Sequence, residues 1–204
     1  MIRVAVGTAP GKVILFGEHA VVYGQPAIAV PVTEVQATAT VEASRPGPGL
    51  SLVAADLKQS SSLARAPEGD PLAAIGRLTL AHLHAAAPDA VLTVQSTIPV
   101  ASGLGSGAAV STAIVRSLAA FFQRELPPKT VSQLVYEVEK LHHGTPSGID
   151  NTVVAYGMPV YFQKGKQIET FGVGTALQEK GLVRRGHQGH RGAGDLNGLP
   201  RGLL

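Results

Sequence analysis

Three stretches of this chain carry side chains whose types and spacing can do chemistry: APGKVILFGEHAVVYG at 9–24, PVASGLGSGAAVS at 99–111 and HHGTPSGIDN at 142–151. Together they supply a lysine, a glycine-rich loop and a carboxylate. A phosphoryl-transfer site needs those parts, because its catalysis consists mostly of positioning phosphates and neutralising their charge. In the loop, Gly103, Leu104, Gly105, Ser106, Gly107 and Ala108 are small enough, Leu104 apart, to let a phosphate approach the backbone. A strand before it and a helix after it would aim backbone N–H groups at an anion. The same run also reads as a tight turn before a helix, and no Gly-Lys-Ser/Thr follows to make it a Walker loop. The Ser106 hydroxyl can meet a magnesium ion or cap the helix.

Lys12 follows Pro10-Gly11 and is expected on a loop, where a lysine alone is usually a solvated charge. Asp150 ends the turn Thr145-Pro146-Ser147-Gly148-Ile149 and reads as the N-cap of a short helix starting near Asn151. Beside Lys12 it has a second reading, as the group that accepts a hydroxyl proton. Glu139, on the preceding helix, would then be available to a metal. Glu18 and His19 sit between apolar flanks, either as a satisfied core pair or facing a polar ligand. Zinc is poorly supported, since neither a His-x-x-x-His helix nor a third ligand at sensible spacing accompanies them.

The elements that must position these groups follow from hydrophobic pattern. Ile2 to Val6, Ala27 to Val32, Val35 to Val41 and Val91 to Ser96 read as strands, with one more near Leu50 to Ala54 inside an irregular 44–70 segment. Asp70-Pro71 predicts an N-cap and first-turn proline for a helix carrying Leu72, Ile75, Leu78 and Leu83. Ala108 to Phe122 predicts a second helix. A third is expected from Thr130, with Thr130 and Gln133 as a capping box and Val131, Leu134, Val135, Val138 and Leu141 as its buried stripe. Strands and helices mix without regular alternation, which points to an α+β domain.

At 204 residues and 45% hydrophobic content the chain can bury a core. It has no cysteine, which excludes disulfides, thiolate metal sites and a cysteine nucleophile. The absence of a basic region followed by a long apolar run leads to the expectation of a cytoplasmic protein without a membrane span. The net charge of +3 resides in residues 171–204, leaving 12 basic and 12 acidic residues before them. No basic patch with interleaved aromatics appears, so nucleic acid is not an expected partner. Nine of the 24 glycines also fall in residues 171–204, and apolar periodicity stops there.

The three motifs together resemble the GHMP kinases, the superfamily of galactokinase, homoserine kinase, mevalonate kinase and phosphomevalonate kinase. The likeness covers about residues 3–170, and all three motifs come in the family's order. PGKVILFGEHAVVYG and HGTPSGIDN look like the forms found in mevalonate kinases; galactokinases carry Thr-Asp where this chain has Ala20-Val21. The resemblance implies a ribosomal-protein-S5-like N-terminal domain over residues 1–170, binding ATP through the loop at 103–108. By motif position it implies Mg²⁺ at Ser106 and Glu139, a catalytic Asp150, Lys12 beside it, and Glu18 and His19 holding mevalonate. Gly107 departs from the family, where many members have a second serine. The family's C-terminal domain and third glycine-rich motif are absent from this sequence.

The expected function is therefore ATP-dependent phosphorylation of mevalonate, in isoprenoid precursor synthesis. The alternatives are another GHMP kinase, such as phosphomevalonate kinase, and an inactive fragment or nucleotide-binding module. Residues 171–204 are expected to be an aberrant or disordered tail, the product of a shifted reading frame or truncated gene model. The oligomeric state stays open, a homodimer included.

Overall fold

Alternation of small apolar with polar residues builds the sheet. In strand β2 (Ala27–Ala43), Ala37, Ala39 and Val41 are buried while Thr38, Thr40 and Glu42 turn outward. Strand β5 (Ala90–Ser96) repeats this with Ala90, Leu92 and Val94 inside. The computed structural model describes residues 3–99 and 101–172. The tail expected at 171–204 lies, from residue 173 onward, outside the described residues.

The remaining strands are β1 (Val4–Phe16), β3 (Leu50–Ala54), β4 (Gln59–Ser62), β6 (Val160–Phe162) and β7 (Glu169–Thr170). They form one seven-stranded sheet in the order β4-β3-β5-β2-β6-β7, with β1 paired to β2. Only β3 and β5 run parallel among the described residues; the other pairs are antiparallel. Among the described residues four helices accompany the sheet: α1 (Pro71–His82), α2 (Ser106–Phe121), α3 (Pro128–His143) and α4 (Ile149–Tyr156). Mixed pairing and unevenly spaced helices make this the expected α+β fold. Among the described residues, no helix is long and apolar enough to cross a membrane.

Helix α2 lies against the inner face of β1 and β2, where Ala9, Ala37 and Ala39 leave room for it. Gly7 is the closest approach: a Cβ there would collide with the Ala113 carbonyl and the Ser117 amide of α2. Below the sheet, Leu50, Leu52, Ile75, Leu92, Ile114 and Leu118 fill the core.

Three local expectations change. β1 is one strand from Val4 to Phe16, with its register shifted at Pro10/Gly11, so Lys12 lies in a strand and not on a loop. Helix α3 begins at Pro128 with Pro127 in the N-cap position and no side-chain cap, so the Thr130 capping box does not form. A proline at the first helical position has its φ preset and its missing N–H costs nothing there, which moves the start earlier. Leu141 is 59% exposed and leaves the buried stripe, while Val131, Val135 and Val138 keep to it.

Candidate functional site

Lys12 is buried because two backbones close over it. Its own N–H donates to the Leu104 carbonyl at 2.9 Å, which stitches β1 to the glycine loop. Its side chain then runs beneath Gly105: a Cβ built there would stand 2.7 Å from Lys12 Cγ. Gly105 also has φ of 70°, so glycine is required at that position by both backbone and space.

The ammonium reaches Asp150, with Nζ 2.8 Å from Oδ1. The Lys12 side chain is 6% exposed and that of Asp150 33%, so the pair is sealed at the lysine end and open at the carboxylate. Asp150 is in the first turn of α4; Gly148, with φ of 92°, takes the N-cap position expected for the aspartate. That turn is held on several sides. Thr152 Oγ1 donates to the Gly148 carbonyl at 2.6 Å, and the Ile149 N–H donates to Ser147 Oγ at 3.3 Å. Buried Asn151 donates through Nδ2 to the Ser132 carbonyl and to Ser132 Oγ, tying α4 to α3.

The loop itself has positive φ at Ala101, Gly103 and Gly105, and Ser102 Oγ donates to the Pro99 carbonyl at 2.7 Å. Helix α2 starts at Ser106, and its first internal bond runs from the Ala109 N–H to the Gly105 carbonyl. The N–H groups of Ser106, Gly107 and Ala108 thus belong to the turn that has no helical acceptor, at the positive end of the helix dipole. A cavity of about 160 Å³ opens on this turn. It is lined by residues 101–108, Glu139 and Asp150.

Of the residues expected from sequence, the fold brings together Lys12, Gly103 through Ala108, Glu139 and Asp150. Glu139 stands across the loop from Gly107, where an added Cβ would be 3.4 Å from its Oε1. Glu18 and His19 are exposed, in the turn between β1 and a 3₁₀ turn at Ala20–Tyr23, and do not line the loop cavity. They are not a core pair. Arg116 of α2, which no sequence motif marks, donates to the Thr8 carbonyl of β1 and the Ala155 carbonyl of α4, the two elements that carry the ion pair.

The donor set suits a phosphate with an accompanying cation. The first turn of α2, two carboxylates and the Ser106 hydroxyl line the same cavity, so an anion there would meet backbone N–H groups. Among the described residues no three His, Cys, Asp or Glu side chains converge into a self-sufficient metal cage.

Residues 72–158 match the model of the GHMP kinases N terminal domain. The mevalonate kinase of Thermococcus sibiricus is 35% identical over 171 residues, spanning 78% of this chain and 51% of that protein. The crystal structure of the Methanococcus jannaschii mevalonate kinase superposes with a TM-score of 0.72 at 26% identity, covering 81% of this chain and 55% of that one. The L. major mevalonate kinase, solved in complex with R-mevalonate, superposes at 0.64 and 27% identity, covering 81% of this chain and 51% of that one. The chain spans about half the length of the curated relatives it matches.

Proposed function

The chain belongs to the GHMP kinase family, and from that premise we propose that it is the ATP-binding half of a mevalonate kinase, which transfers the γ-phosphoryl group of ATP to the primary hydroxyl of mevalonate. The observation that carries this reading is the Lys12 to Asp150 contact of 2.8 Å at the rim of the glycine-loop cavity. It puts a fixed ammonium and a partly open carboxylate beside the place where helix N–H groups receive phosphate.

In this reading the N–H groups of Ser106, Gly107 and Ala108 hold the nucleotide's phosphates. Asp150 accepts the proton of the acceptor hydroxyl as its oxygen bonds to the γ-phosphorus and the bond to the bridging oxygen of ADP breaks. Lys12 holds the Asp150 carboxylate in place and offers positive charge to the oxygen that attacks. Ser106 and Glu139 would hold Mg²⁺, which when bound would neutralise charge on the phosphates. Glu18 and His19 supply contacts to mevalonate from the turn after β1.

The second reading is nucleotide binding without transfer. Joining residues 1–172 to the part of the Thermococcus sibiricus enzyme that this chain does not match tests both. The hybrid is expected to phosphorylate mevalonate, and its Asp150→Asn form to lose turnover by about 10³-fold or more while still binding ATP. Transfer to phosphomevalonate in place of mevalonate would move the assignment to the neighbouring kinase. Unimpaired turnover in Asp150→Asn would remove the aspartate from the chemistry.

A further inference from the structure

Arg116 lies on α2 among buried neighbours, and among the described residues no carboxylate pairs with it. Both of its bonds go to backbone carbonyls: Nη1 donates to Thr8 at 2.7 Å and Nη2 to Ala155 at 2.9 Å. Burial holds the guanidinium below its ordinary value, so the position carries a desolvation cost. A cation placed there needs a compensating role.

The two carbonyls identify that role. Thr8 is on β1, which among the described residues has β2 as its single sheet neighbour. Ala155 is in the last turn of α4, where carbonyls lack helical donors and a cation meets the negative end of the helix dipole. The approach that makes this reach possible is provided by Gly7, whose missing Cβ would otherwise strike Ala113, Ser117 and the Arg116 Cβ itself. Four residues beyond Thr8, β1 carries Lys12; five residues before Ala155, α4 carries Asp150. With only eight residues, α4 is too short to hold its place by helix propensity alone.

We propose that Arg116 is a positioning residue that clamps β1 to α4 and thereby sets the meeting of Lys12 with Asp150. It touches neither group and acts through the two elements that carry them. The importance of that meeting to transfer rests on the kinase reading above; the clamp itself does not.

The test is made on the whole 204-residue chain and reads the ion pair directly. With ¹⁵N-labelled lysine, the Lys12 ammonium protons, sheltered by burial and by Asp150, give a resonance assigned by its loss in Lys12→Met. Arg116→Met removes both donors, and Arg116→Lys keeps the charge but replaces the two separate nitrogens that serve the Thr8 and Ala155 carbonyls with a single ammonium on a shorter reach. Arg77→Met is the control, because Arg77 likewise donates to carbonyls, those of Leu63 and Ala66, in a region apart from the pair. Arg116→Met is expected to speed exchange of the Lys12 ammonium protons and of the first-turn amides of α4 by about tenfold or more over Arg77→Met, with Arg116→Lys between that variant and the unaltered chain. If Arg116→Met does not fold, Arg116→Lys decides. An unchanged Lys12 signal in the Arg116 variants, an equal change in Arg77→Met, or an unfolded Arg116→Lys would each reduce Arg116 to a general fold residue and overturn the proposal. Turnover plays no part in this readout, so a folded hybrid that binds ATP without transferring its phosphoryl group would sink the kinase reading and leave the clamp standing.

Discussion

The ion pair at the site is lopsided, and its two halves should not be equally costly to remove. Lys12 is almost wholly enclosed by Leu104, Gly105 and its own strand, whereas a third of the Asp150 side chain meets solvent. Asp150→Asn removes the counter-charge of an ammonium held out of water, leaving it at most a neutral amide oxygen, at a cost of about 3 kcal/mol by analogy with broken buried pairs. Lys12→Met leaves a carboxylate that water can still solvate and keeps an apolar stem under the loop, so about 1 kcal/mol is expected. Denaturant melts of the two single variants check this, and a larger loss for Lys12→Met would mean that the carboxylate is the enclosed partner. The residue types at the site were legible in sequence, since Lys12, Ser106, Glu139 and Asp150 all come to the loop. Their burial was not. A Pro-Gly pair usually marks a turn, and only the chain crossing at Leu104, 92 positions away, shows that this one continues a strand. Nothing local to Gly148 said that it, and not Asp150, would occupy the N-cap position of α4.

Helix starts show where local sequence decides an element and where it does not. At α1 the Asp70 side chain accepts from the Ala73 N–H at 3.0 Å ahead of a first-turn proline, and the expectation from Asp70-Pro71 holds. At α3 the Thr130 and Gln133 pattern was equally suggestive, but Pro127 and Pro128 start the helix first and leave Thr130 inside it. Asp70→Ala is therefore expected to destabilise the chain by about 1 kcal/mol, and Thr130→Ala by about 0.3 kcal/mol or less. Chemical denaturation of both variants measures the difference, and equal losses would show that Thr130 has a role the helix start does not reveal. Strands follow the same division. Period-2 alternation revealed β2 and β5, but β2 runs on through Pro31 and β1 through Pro10-Gly11, because the register shift at Pro10/Gly11 absorbs the irregularity. That shift belongs to the pairing of two strands and leaves no mark in either one.

For the whole molecule, the size of the loop cavity limits what the described residues can hold unaided. About 160 Å³ accommodates phosphate groups against α2 but falls below the 300–1,000 Å³ usual for sites that enclose a ligand of nucleotide size. The apolar side chains after Lys12 are also open, with Phe16 62% and Tyr23 84% exposed. One wall of a site is present, and the relatives carry about as much chain again. The 204-residue chain is thus expected to bind ATP through its phosphates alone, with a Kd on the order of 0.1–1 mM. Two glycine substitutions in the loop separate this from nonspecific attraction. Gly105→Ala forces a Cβ onto Lys12 at a φ of 70° and should weaken binding by about tenfold. Gly107→Ala meets Glu139 Oε1 only at van der Waals distance and should leave the affinity within about threefold. Calorimetric titration with ATP and Mg²⁺ measures all three proteins. Micromolar affinity would mean that the described residues already enclose the base and ribose, and an affinity indifferent to Gly105→Ala would place the nucleotide away from this loop.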